Sequence, residues 1–445
     1  MFVVNKGKKI VLIAVFLCLG MMAPFAGNEG NYGSIAAAKL LRPQVTSGSS
    51  AVTRVAAKPM LRWTIVAGAV SYEVEFLSGL PENPRGADPS DKRLFSATSY
   101  TNGYNADLTA FAGQKIFWRV RALDYDRNPI GVYSEAAAVY VDSALAMQLK
   151  PVINTVFNAD GLPTPLYPAY AWIGVNGAVK HEVELTRQLP ENPNGTEPSR
   201  YRIWSKQVDS SFDCYDDLPR IDPGTYYWRV RALDENGDPV GVYSDVGKFV
   251  VDWKKGAYAA AFGDSITHGG GGVSYPPCNW DYSYQTFLRF RAVNLGRSGD
   301  TSETMLDRFD ADVLPVHPRY LLILGGSNSL RGGTPPEQVI AELAAIRDKC
   351  IANKIRPIFL TLPPINPDSI QKVFNEPTVD NWREAFDTVN EFIRQQPYYI
   401  DIEPYLGDDQ RMLPVSYGVD GLHPDTAGKK IMARVINDNW KRVIR

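Results

Sequence analysis

Chemistry is first offered at Ser265, in the stretch "AAAFGDSITHGGGGVSY" that runs from 259 to 275. An apolar run stops at Gly-Asp-Ser, and four glycines, Gly269 to Gly272, follow. The stretch could present a nucleophilic serine, cradle a phosphate, or simply connect two elements. A phosphate loop needs Gly-x-x-x-x-Gly-Lys-Ser/Thr, and no lysine follows these glycines. The dinucleotide fingerprint needs Gly-x-Gly-x-x-Gly straight after a strand, whereas Gly263 is followed by Asp264 and Ser265. The Gly-x-Ser-x-Gly elbow of the α/β-hydrolases is also missing. A serine hydroxyl is a poor nucleophile until a base takes its proton, and an imidazole base needs a carboxylate to hold its tautomer. The chain has only 4 histidines. His181 lies in a repeated strand opposite Tyr72 of the other copy and reads as structural. His317, in "LPVHPRY", enters a strand at the wrong end. His268 is so close to Ser265 in sequence that it reads as lining the cleft entrance, not as the base. His423 stands in "VDGLHPDTAGKK" on a polar loop before the last helix, with Asp420 three residues earlier, a spacing that can bring a carboxylate onto the ring. Taken alone, "DGLHPD" reads equally as a turn followed by a helix cap.

These residues need a scaffold that gathers distant segments, and the texture after "FVVDWKKG" supplies one. "AYAAAF" at 257, "AVNLG" at 292, "YLLILGG" at 320, "PIFLTL" at 357 and "YYIDI" at 398 read as buried strands. Helical patterns lie between and after them, clearest in "PPEQVIAELAAIRDKCIANK", "VDNWREAFDTVNEFIRQQ" and "DTAGKKIMARVINDNW". This alternation predicts an α/β/α three-layer domain over 256–445 with a parallel, flavodoxin-like sheet. Ligands bind outside the carboxyl ends of such strands, where Gly263 to Ser265, Gly296 to Gly299 and Gly325 to Asn328 all fall.

The preceding residues repeat. "LPENP" at 80 returns at 189, "FWRVRALD" at 117 is answered by "YWRVRALD" at 227, and "GVYS" at 131 by "GVYS" at 241. A period this long, with several strand patterns per copy, means tandem domains and not a solenoid. Tyr226, Trp228, Val230 and Ala232 alternate with Tyr227, Arg229 and Arg231, predicting an apolar inner and a charged outer strand face. Each copy therefore reads as an antiparallel, immunoglobulin-like β-sandwich, over 43–142 and 150–252. The early Trp63 and Trp172, with the "Tyr-x-Trp-x-Val-x-Ala" strand, resemble fibronectin type III modules, which implies spacers or binding platforms with a possible cell-envelope or glycan contact.

At 445 residues several domains are expected. A net charge of −2 gives no footprint for nucleic acid or anionic lipid. Lys6, Lys8 and Lys9 precede an apolar run ending among small residues, so 1–26 reads as a signal peptide and the protein as secreted or envelope-associated, with an uncleaved anchor as the alternative. Cys214, Cys278 and Cys350 are too few and too scattered for a disulfide framework or a zinc site. No metal and no cofactor is expected.

"FGDSIT" at 262, "VNLGRSGDTS" at 293, "LGGSNSL" at 324 and "DGLHP" at 420 follow one another in the order of the four sequence blocks of the SGNH, or GDSL, hydrolases, which they resemble. The resemblance covers about 256 to 445. It implies Ser265 as nucleophile, His423 as base and Asp420 as its orienting carboxylate. It also implies an oxyanion hole made by the backbone N–H of Ser265, the backbone N–H of Gly299 and the side-chain amide of Asn328, with Gly296 the lesser choice of glycine and Asp264 a support for the turn. One position departs from the family pattern: Ser329 stands where an aspartate is usual, and a serine there can still bond locally. The glycine run would give a bulky substrate room, or form a plain surface loop. Tyr275, Trp280, Tyr282 and Tyr284 would stack on sugar faces or pack the first helix. The family's substrates are acyl esters. Export and the two modules tilt the expectation to a carbohydrate O-acetyl esterase acting on acetylated polysaccharide. A lipid esterase, lysophospholipase or thioesterase is the runner-up, and a non-catalytic envelope adhesin is the reading of another class.

Overall fold

A computed structural model describes residues 41–47, 52–66, 68–155, 157–158, 161–209, 212–271 and 280–445. The expected signal peptide, Gly272, Tyr275 and Cys278 lie outside these residues. No helix among the described residues is long and apolar enough to cross a membrane.

The first repeat is built of strands, with one short 3-10 turn at Thr109–Phe111. Thr53–Val55, Ala137–Val141, Lys115–Leu123, Ser71–Leu77 and Arg93–Ser99 form one sheet in that order, and Met60–Arg62 pairs with Gly103–Asn105 in another. The second repeat sets Arg202–Val208, Lys180–Thr186, Gly224–Leu233 and Gly247–Val251 side by side, with Asp213–Tyr215, Ala169–Ile173 and Val152–Ile153 in a separate sheet. Trp63 and Trp118 are buried together, with ring centroids 6.3 Å apart, in the first repeat. Trp172 and Trp228 lie in the core of the second.

The expected charged outer face is not solvated. Arg119 and Arg229 are both 0% exposed. Each meets a buried glutamate, Glu75 at 2.6 Å and Glu184 at 2.9 Å, and lies over a tyrosine ring, Tyr133 or Tyr243. The rest of each guanidinium donates to carbonyls of the loop that opens with "LPENP": Asn83 and Asp88 in one copy, Pro193 and Glu197 in the other. Glu82 and Glu191 of that motif accept from Ser90 and Ser199 and close the loop. The two repeated motifs are therefore halves of one device, a loop pinned over the sheet by an arginine that would be costly to bury without partners.

In the α/β domain Val293–Gly296, Ala259–Gly263, Tyr320–Leu324, Arg356–Leu360 and Tyr399–Ile400 form a parallel sheet in the sequence order 2-1-3-4-5. The first three of these strands in the chain are buried along their whole length, so both sheet faces are covered. Helices Ser302–Val316, Pro336–Ala352 and Trp382–Arg394 pack in a row, and Thr426–Val443 packs beside the turn Tyr284–Phe287 and the last strand. The second repeat shares one apolar core with this domain. Its Leu166 N–H donates to the carbonyl of Asn294 at 2.8 Å, and its Tyr167 hydroxyl reaches Asp312 at 2.8 Å.

Candidate active site

The site is built at the carboxyl ends of the parallel strands. Strand Ala259–Gly263 ends at a glycine because a Cβ there would stand 2.0 Å from the carbonyl oxygen of Leu324 on the neighbouring strand. Asp264 follows in extended conformation and caps the single helical turn Ser265–His268 by accepting the Ile266 N–H at 2.9 Å. This capped turn fixes Ser265, which is 9% exposed.

The second half comes from the loop before the last helix. Asp420 Oδ1 accepts the backbone N–H of Leu422 at 2.8 Å and of His423 at 2.7 Å, curling the loop until Oδ2 meets His423 Nδ1 at 2.7 Å. His423 Nε2 faces Ser265 Oγ at 2.8 Å. A carboxylate only accepts, so Nδ1 carries the hydrogen and Nε2 is left to accept from the serine hydroxyl. Burial pushes the Asp420 carboxyl up, but the His423 imidazole and the N–H groups of His423 and Leu422 more than reverse this and hold it below the ordinary carboxylate range. The arrangement can take a proton from Ser265 and stabilise the imidazolium that results.

Gly299 has a φ of +88°, a conformation that suits glycine. Asn328 lies in the turn Ser327–Arg331, where Nδ2 donates to the carbonyl of Asp300 at 2.9 Å and Oδ1 accepts from Arg331 at 3.3 Å. These two bonds fix the orientation of the amide and leave its second Nδ2 hydrogen without a partner among the described residues. Gly296 serves packing, since a Cβ would stand 2.2 Å from the backbone nitrogen of His268. Ser329 bonds locally: its Oγ accepts the Ser302 N–H at 3.0 Å and lies 2.9 Å from Ser302 Oγ, tying the Asn328 turn to the start of helix Ser302–Val316.

Two sequence expectations need correcting, on His268 and on the glycine run, and the aromatic stretch follows the packing alternative. His268 does not line the cleft entrance: it is 1% exposed, its Nε2 donates to the carbonyl of Tyr167 at 2.7 Å, and its Nδ1 accepts from Ser298. Burial pushes its pKa down to about 4, so it stays neutral as a link to the second repeat. The glycine run is not a surface loop over its described part, because Gly269 to Gly271 are buried and the first two have φ of +104° and +79°. Of the described aromatic residues of that stretch, Tyr282 and Tyr284 are buried at 6% and 0% exposure, which favours packing over stacking on sugar, and Trp280 is half-buried.

Sequence reasoning missed the charges beneath the site. Arg308 donates to the carbonyls of Gly263 and Leu295 at two strand ends and pairs with Asp300 at 2.5 Å and Asp312 at 2.8 Å. It thereby holds the Gly299 loop to the nucleophile strand. Lys429 is wholly buried in the last helix, and its Nζ donates to the carbonyl of Ile266 in the nucleophile turn. Burial brings its pKa down to about 7 despite the nearby Asp264, Asp420 and Asp425, while burial lifts Asp264 to about 6. The signal for both cations was slight, a charged residue where the helical pattern calls for an apolar one.

Residues 261–431 match the model of the GDSL-like lipase/acylhydrolase family. No curated protein matches the chain. Among solved structures, a GDSL-like lipase from Bacteroides thetaiotaomicron is 20% identical, the match covering 41% of this chain and 87% of that one with a TM-score of 0.34. A lipase/acylhydrolase from Enterococcus faecalis is also 20% identical, covering 42% and 96% with a TM-score of 0.34. An acetylxylan esterase from Geobacillus stearothermophilus is 18% identical, covering 41% and 93% with a TM-score of 0.32. The C-terminal part of the chain is thus a domain of the GDSL-like lipase/acylhydrolase family, and the protein is an ester-hydrolysing enzyme.

Proposed function

We propose that Ser265, His423 and Asp420 form the catalytic triad of a secreted carbohydrate O-acetyl esterase. The observation that carries the triad is the continuous chain of contacts from Ser265 Oγ to His423 at 2.8 Å and from His423 to Asp420 at 2.7 Å. Ser265 Oγ attacks the ester carbonyl carbon as His423 Nε2 takes its proton. The oxyanion so formed is met by the N–H of Ser265, the N–H of Gly299 and Nδ2 of Asn328. Collapse breaks the bond to the alcohol, which leaves with the proton from His423. Water, deprotonated by the same imidazole, then attacks the acyl-serine and returns the enzyme with the free acid. Every step uses groups of this chain and needs no cofactor.

In this reading 43–142 and 150–252 are fibronectin type III-like modules, 256–445 is the hydrolase domain, and 1–26 directs export. The paired sheets with buried tryptophans support the module assignment. The acetylated-polysaccharide substrate draws support from the modular, exported architecture. Hydrolysis should be measured on esters from acetyl to palmitoyl with one chromogenic leaving group, against a Ser265→Ala control. The reading predicts a serine-dependent rate that peaks at acetyl and collapses by octanoyl, and a maximum at longer chains would replace the sugar ester by a lipid or thioester.

A further inference from the structure

His423 sits on a long irregular segment: from Leu406 to Asp425 there is neither helix nor strand. Its position is therefore set by what braces that segment, and part of the brace comes from the first repeat. Val70, in the turn before strand Ser71–Leu77, is 3% exposed, yet it is buried against Tyr282 and Val419 of the α/β domain, with Tyr125 and Val415 around them. Val419 adjoins Asp420, and Tyr282 lies in the stretch that follows the nucleophile turn.

A second turn of the same repeat grips helix Pro367–Phe374. The Tyr125 hydroxyl donates to the carbonyl of Lys372 at 2.7 Å, the Lys372 ammonium pairs with Asp126 at 2.8 Å, and it lies 5.0 Å from the centre of the Tyr125 ring. Two residues on, Phe374 sets its ring edge-on to the His423 imidazole, with centroids 6.1 Å apart at 75°. At the other end of the helix the Asn366 N–H donates to the carbonyl of Gly421 at 2.7 Å. The second repeat is an internal control. Where the first has Tyr125 and Asp126, it has Glu235 and Asn236, and the counterpart of Val70 is Val179, which is 39% exposed.

We propose that the first repeat is a working part of the active site, in which Val70, Tyr125 and Asp126 are positioning residues that hold the 415–423 loop and helix Pro367–Phe374 so that His423 meets Ser265. The inference rests on the catalytic reading of Ser265, His423 and Asp420 above. The exposed Lys372–Asp126 pair contributes little by itself, so the apolar contact at Val70 and the Tyr125 hydroxyl bond do most of the holding.

The test uses the full chain and counts active sites with a serine-reactive fluorophosphonate, so that kcat on an acetyl ester is expressed per labelled site. Val70→Asp should lower kcat about tenfold, as expected of a small displacement of a catalytic group, with KM within about twofold of wild type. Val70→Ile should restore the wild-type value, and Val179→Asp should leave it unchanged. Tyr125→Ala, a change in a turn that the fold survives if Val70→Asp does not, should lower kcat about fivefold, the equivalent of one hydrogen bond. An unchanged kcat per site in Val70→Asp and Tyr125→Ala, or an equal loss in Val179→Asp, would overturn the proposal. A folded wild-type chain that neither labels at Ser265 nor cleaves the ester would instead overturn the catalytic reading, and this inference with it.

Discussion

Asp420 carries a charge in a fully buried position, and its environment explains how. Burial alone would neutralise it, but two backbone N–H groups and the His423 ring converge on its oxygens. Its folded pKa is depressed, so its stabilising link is complete above the ordinary carboxylate value of about 3.9 and is lost as pH falls through the folded value. Replacing Asp420 by Asn keeps the shape but offers an N–H to Nδ1, which favours the wrong tautomer. We expect kcat to fall by about 10⁴ with KM little changed, since the lost interaction belongs to the transition state. Steady-state kinetics of Asp420→Asn checks this, and a loss below about tenfold would remove Asp420 from the triad. Ser265, Gly299 and Asn328 could be picked out as candidates because each sits in a short motif after a strand, and Asp420 and His423 because they share one motif in the loop before the last helix. Arg308 and Lys429 were not, because a buried cation is specified by carbonyls and carboxylates that only the fold brings to it.

Among the elements, the last helix acts on the nucleophile turn through Lys429. A lysine brought down to about 7 costs stability wherever the unfolded chain still holds the proton that the folded chain has lost, so stability rises with pH from about 7 toward the ordinary lysine value. The other displaced groups nearby act at lower pH and in opposite senses. Asp264, raised to about 6, loses stability as pH climbs toward 6, while His268, lowered to about 4, gains it over 4 to 6.5. Urea unfolding followed by intrinsic fluorescence should show the wild-type chain about 2 kcal/mol more stable at pH 9 than at pH 7. Lys429→Met should abolish the difference, and the same slope in both proteins would show that Lys429 is not the titrating group. The strands of the α/β domain could be read from their apolar runs to within a few residues. Helix Ser302–Val316 was harder, because buried Arg308 and Asp312 interrupt the apolar series of Met305, Phe309, Val313 and Val316. The arginine-bearing strand face was misread for a related reason: alternation marks a polar face but cannot say that a loop covers it.

For the molecule as a whole, the repeats are more than a tether. The second shares its core with the hydrolase domain and holds His268, and the first braces the elements around His423. Their order along the chain could be read from the repeated motifs. Their docking could not, because it depends on turn residues such as Val70, Tyr125 and Tyr167, whose partners are distant in sequence and follow no period. All of these contacts matter for function only if Ser265 is the reacting group. Intact-mass and peptide mapping after fluorophosphonate treatment of the full chain tests this most directly. One adduct per chain, on Ser265 and absent from Ser265→Ala, is the predicted result, and a folded chain that stays unlabelled or labels on another serine would contradict it.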